Sequence, residues 1–145
     1  MKTETPELIT LEHSTLTCWS AFQVFAVAVG AVGKLTRQTF HRIRKTRSIL
    51  KAIYDEREDG LRLIAEKYVV KDAMGKPTRT DDGMDFVWIP KTEAEGRARL
   101  ADVNGEMRTI QVAPILWDEL LPEDDDVANA NALFALADWG FVVEE

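Results

Sequence analysis

Ile43, Leu50, Tyr54, Leu61, Ile64 and Tyr68 recur at steps of seven, four, seven, three and four. Such steps keep one stripe facing the same way for several helical turns, so the spacing predicts a single helix from Lys34 to about Val70. At 1.5 Å per residue it would be about 50 Å long. That is longer than a compact domain of this size comfortably covers, so self-association is expected. Gly60, costing about 1 kcal/mol relative to alanine in a helix, marks where the rod is expected to bend or split. Arg47 and Arg57 stand where a continuous heptad wants apolar groups. They are read as partner contacts or as side chains snorkelling outward.

The 145 residues suffice for one domain burying about two-thirds of its unfolded surface. Around the long helix, residues 1–13 read as an extended arm, with weak strand character at Leu8, Ile9 and Thr10. Ser14 is placed to cap a helix running to about Ala28, with Leu16, Trp19, Phe22 and Phe25 on one face and Gly30 and Gly33 as its stop. Beyond Val70, Asp72, Gly75, Pro77 and Asp81-Asp82-Gly83 are turn residues, and Phe86 to Ile89 is β-rich. Thr92 with Glu95 forms a capping-box pattern for a helix to Asp102, interrupted by Gly96. Glu106 to Ala113 alternates as a strand, and a last helix runs from about Asp126 to Trp139, stopping at Gly140. The expected fold is α+β: residues 14–145 as one domain, a short N-terminal helix and a long central helix packed with a small antiparallel sheet and a C-terminal helix.

Charge divides unevenly along this layout. Lys34, Arg37, Arg42, Arg44, Lys45, Arg47 and Lys51 follow one another with no acid between them, in a chain of 18 basic and 25 acidic residues. A +7 segment thus sits in a remainder of −14. Residues 101–145 hold eleven acids and only Arg108 as a base. The basic segment is read first as a protein-binding or intramolecular surface meeting acidic groups, with Trp117, Trp139 and Phe141 as buried anchors. The alternative is DNA or RNA contact through helix 34–51, which would be salt-dependent; a solvated face comes third.

Little else points to chemistry. No phosphate-binding glycine loop, Gly-x-Ser-x-Gly elbow or His-Glu-x-x-His motif occurs. Glu123 to Asp126 fails the calcium-loop pattern, with Ala135 where glutamate is needed. Asp55, Glu56, Glu58 and Asp59 point in different directions on a helix. Cys18, beside Trp19, reads as core and not as a thiol activated by His13, from which it diverges by roughly 140° on a helix. One cysteine and two histidines assemble no zinc site, and no cofactor is expected. Residues 16–33 lack charge, and a buried helix is preferred over a membrane span.

Tyr54-Asp55-Glu56-Arg57, Leu61, Glu66-Lys67-Tyr68 and Lys71-Asp72 running into Gly75-Lys76-Pro77 resemble a small family of uncharacterised proteins encoded by tailed phages and prophages. The similarity spans most of residues 14–143. Its members share a short first helix, a long helix ending in a tyrosine and a Lys-Asp-x-x-Gly turn, then an aromatic strand. The resemblance brings no catalytic residues. It implies a non-enzymatic virion or assembly role at the head–tail connector, tail or capsid. Other phage structural proteins or further copies of the chain would be its partners, in the virion and, during assembly, in the host cytoplasm.

Overall fold

The computed structural model describes residues 8–31, 36–116 and 127–143. In chain order its elements are β1 (Ile9–Ser14), α1 (Thr15–Ala31), α2 (Arg37–Tyr68), α3 (Glu93–Gly105), β2 (Met107–Val112), β3 (Ile115–Leu116), α4 (Val127–Asp138) and β4 (Val142–Val143). The fold is α+β. Ser14 Oγ accepts from the Thr17 backbone N–H and starts α1 as its spacing predicts. α2 is one unbroken helix of 32 residues, about 48 Å long, started by Thr36, whose side chain accepts from Thr39 N–H.

Two apolar clusters lie along α2, which explains how a single chain covers so long a helix. The larger gathers Cys18, Phe25, Ile43, Leu50, Leu133 and Phe141 among others; the second holds Ile64, Tyr68, Phe86 and Trp88 with Leu100 and Val103 packed on it. Each half of the rod is therefore buried against its own neighbours, and length alone no longer argues for self-association. Gly60 does not divide the helix. A Cβ built there would sit at ordinary contact, 3.5 Å from the Val103 methyls of α3. Gly60→Ala is therefore expected to raise stability by about 1 kcal/mol, read as a higher urea midpoint at unchanged slope.

The sheet differs from the expected one. β2 pairs antiparallel with β1, from Ile9↔Val112 to Ser14↔Met107, so residues 9–14 of the expected arm and its boundary form a strand. Phe86 to Ile89 stays out of that sheet. It belongs to a small meander in which Val70 N–H donates to Val87 O, Val87 N–H to Thr78 O, and Thr78 N–H to Val70 O, closing a ring of backbone bonds. β3 and β4 form a further pair, which is parallel. α4 ends at Gly140 (φ 87°), with Gly140 N–H on Ala137 O and Phe141 N–H on Leu136 O. That closure needs the left-handed backbone that glycine adopts without strain.

The face of α1 turned to the core is also not the expected one. Cys18, Ala21, Phe25 and Ala28 are buried, whereas Leu16 is exposed. Small residues let α1 sit close, and Trp19 and Phe22 are left to the side, against α2. Thr92 makes no capping bond to α3; Glu95, its expected box partner, instead accepts from the Tyr68 hydroxyl (2.9 Å).

Asp85 holds the second cluster together. It accepts from Phe86 N–H, Trp88 Nε1–H and the Arg97 guanidinium at 2.8, 3.1 and 2.9 Å. Arg97 foremost holds its carboxyl below the usual range; burial, the next largest effect, opposes it, and the Trp88 and Phe86 donors add to the lowering. Its stabilising contribution is present above the unfolded carboxyl pKa of about 3.9. It is lost as pH falls from there through the lower folded value. Acid titration followed by tryptophan fluorescence should show this loss, and Asp85→Asn should remove that part of the pH dependence.

Candidate docking surface on the basic helix

α2 carries its cations in its first half, and Arg37, in the first turn, is disfavoured there by the helix dipole by about 0.3–1 kcal/mol. No acidic residue lies in its first turn. Lys34 and Trp117 lie outside the described residues. Arg37, Arg44 and Lys45 are exposed, and no ion pair joins them to another described residue. Arg37, Arg44 and Lys51 recur at steps of seven and share one face; Lys45 lies about a quarter-turn away.

The other cations of the segment are engaged by the chain itself. Arg42 donates to the Pro114 carbonyl at 3.4 Å, beside β3. Lys51 pairs with Asp55 at 2.8 Å, both well exposed, so the pair is weak. Arg47 does not snorkel outward. Its guanidinium lies 4.8 Å above the Phe22 ring, and its buried Nε finds no acceptor among the described residues.

Arg57 likewise turns inward. It is 9% exposed, lies 4.3 Å over the Trp19 ring and donates to Asn104 Oδ1 at 2.8 Å. Burial lowers its pKa from the usual value, with Glu58 opposing. Between the two arginines Tyr54 stacks on Trp19 (6.0 Å, 2°) and tilts against Phe22 (4.9 Å). Arg47, Phe22, Tyr54, Trp19 and Arg57 thus form one ladder joining α1 to α2. A search for apolar residues alone misses it. The signal was the heptad itself: Thr39, Ile43, Thr46, Leu50, Ile53 and Arg57 are all buried, at alternating steps of four and three that admit two threonines and an arginine.

Phe22, Phe40, Ile43, Arg44, Arg47, Ser48 and Lys51 line an open groove of about 400 Å³. Phe40 is 48% exposed on its wall. Two of the expected anchors lie away from the lining. Phe141 is 1% exposed, edge-on to Phe25 at 5.5 Å and 5.7 Å from His13, so the chain's own core occupies it and a partner does not reach it. Trp139 is half-buried and packs on the same core.

The remaining candidates have structural partners. Asp55 pairs with Lys51, Glu56 with Arg108, Glu58 with Trp19 and Arg57, and Asp59 with Arg62. His13 Nε2 donates to the Trp139 carbonyl (2.6 Å), and burial pushes the Cys18 thiol up. Among the described residues no cluster of three or more His, Cys, Asp or Glu could hold a metal, and no helix is long and apolar enough to cross a membrane.

These features define an α+β chain with a cationic helix face beside an aromatic groove. No family model, curated protein or solved structure matches it.

Proposed function

We propose that this chain is a non-catalytic docking protein that engages an acidic protein surface through α2 between Arg37 and Lys51. The observation that carries this is the exposed set Arg37, Arg44 and Lys45, which no ion pair joins to another described residue. Like charges left together without compensation from the described residues retain electrostatic energy that an acidic partner releases. The phage setting, as a minor head–tail connector, tail or capsid component, rests on the resemblance around Tyr54 to Pro77. Washed virions from a strain encoding the protein should contain it by mass spectrometry. Reversing Arg37, Arg44 and Lys45 to glutamate should strip it from the particles without unfolding it. Absence from the particles removes the virion role, and undiminished retention of the triple variant removes the electrostatic one.

A second reading has one observation in its favour: Phe40 stands exposed among the cations, as a stacking platform for a base would. Retention on DNA falling steeply between about 50 and 200 mM salt would support it.

A further inference from the structure

Phe40, Arg44, Arg47 and Lys51 follow one another at steps of four, three and four, so they run as one stripe along α2 beside Phe22 of α1. The groove they line has an apolar floor in Phe22 and buried Ile43, and a cationic rim in Arg44, Arg47 and Lys51. About 400 Å³ lies within the range of pockets that take up a side chain or small ligand. Arg47 is fixed over Phe22, and its buried Nε has no acceptor among the described residues. Among the described residues the groove lining contains no acid. Asp55, one turn on, touches it only through its pair with Lys51.

We propose that this groove receives an acidic peptide segment of the docking partner. One aromatic or branched aliphatic side chain would enter between Phe22, Phe40 and Ile43, with flanking carboxylates on Arg44, Arg47 and Lys51. The inference rests on the docking reading and names its site and ligand. Anion and apolar anchor are both needed, because the floor is apolar and the rim cationic. A short acidic segment fits better than an extended nucleic-acid strand. Outside the segment 34–51 the chain carries −14, which repels a polyanion reaching beyond the groove by more than a Debye length of about 8 Å.

The test uses the full chain and a fluorescein-labelled, glutamate-rich peptide of about 12 residues carrying one tryptophan. Its controls are a tryptophan-to-alanine twin, a glutamate-to-glutamine twin and an oligothymidylate of matched length. Anisotropy should show saturable binding, weakened about tenfold or more for either twin. Ser48→Trp, which fills the groove from an exposed position, and the pair Arg44→Glu with Lys51→Glu should each weaken it about tenfold, with circular dichroism and melting unchanged. Binding that survives Ser48→Trp but is lost on Arg37→Glu with Lys45→Glu overturns the groove and leaves the docking reading intact. Oligothymidylate bound more tightly than the peptide transfers the site to nucleic acid. The chain's own acids at 118, 119 and 123–126 supply the remaining check. If neutralising them raises affinity about tenfold, that run is the occupant and the assignment to a partner fails. No binding by about 1 mM, to either the native chain or that neutralised variant, overturns the proposal outright.

Discussion

Gly96→Ala is expected to lower stability by about 2–3 kcal/mol. A Cβ at that position would stand 2.6 and 2.8 Å from Cζ3 and Cε3 of Trp88 and 2.8 Å from the Tyr68 Cβ. Neither neighbour yields easily. Trp88 is tied by its Nε1–H to Asp85, lies under Arg97 at 5.3 Å and meets Phe86 edge-on at 5.6 Å. The Tyr68 Cβ is attached directly to the backbone at the end of α2. Helix propensity favours the alanine by about 1 kcal/mol, so the net loss measures how closely α3 is seated on the indole. Urea unfolding of the two proteins decides it. A change smaller than about 0.5 kcal/mol would place α3 further from Trp88. The opposite sign expected at Gly60, where the same Cβ meets only Val103 at ordinary distance, makes the pair a test of packing against propensity.

Arg57→Ala is expected to cost about 3 kcal/mol. The guanidinium lies 4.3 Å over the Trp19 ring, donates to Asn104 at the end of α3 and sits 3.8 Å from Glu58. It therefore ties α1, α2 and α3 together where the two apolar clusters meet. Truncation leaves Asn104 Oδ1 without its donor and opens a gap over the indole. Arg57→Lys should restore less than half of the loss, since an ammonium cannot stack on Trp19 and reach Asn104 in one plane. Denaturant midpoints of the two variants measure this. Full rescue by lysine would mean that charge alone matters at this site.

Residues that carry their own local signal were legible. The Ile43-to-Tyr68 stripe located α2 to within a few residues, Ser14 started α1, and Gly140 closed α4. Long-range pairing was not. β1 and β2 are about a hundred residues apart, and nothing local in Ile9–Ser14 names Met107–Val112 as its partner. β3 and β4 are two residues each, too short for any alternation to show. Cys18 is legible as core, but the burial of Ala21 and Ala28 in place of Leu16 follows from how closely α1 approaches its neighbours. That distance is a tertiary property.

The candidate site divides in the same way. Counting charge finds the basic segment, because segregation is a property of the sequence alone. It does not reveal which cations the fold keeps for itself. Arg42 and Arg47 are turned to Pro114 and Phe22, and Arg47 so placed becomes part of the groove lining. Arg57 looked like Arg47 in sequence, as a cation interrupting a stripe, yet it ended deeper because Trp19 and Asn104 together replace its water. In sequence Phe141 reads, with Trp117 and Trp139, as an anchor of the docking surface. The chain end folds it back onto Phe25 and His13.

Amide chemical-shift mapping of the 15N-labelled chain, titrated with the acidic tryptophan peptide, bears most directly on whether the first half of α2 is a receptor for acidic protein. The expected result is a contiguous set of shifted resonances at Phe22, Phe40, Arg44, Arg47, Ser48 and Lys51, shrinking as salt is added. Shifts confined to the meander or to α4, or none at saturating peptide, would contradict it.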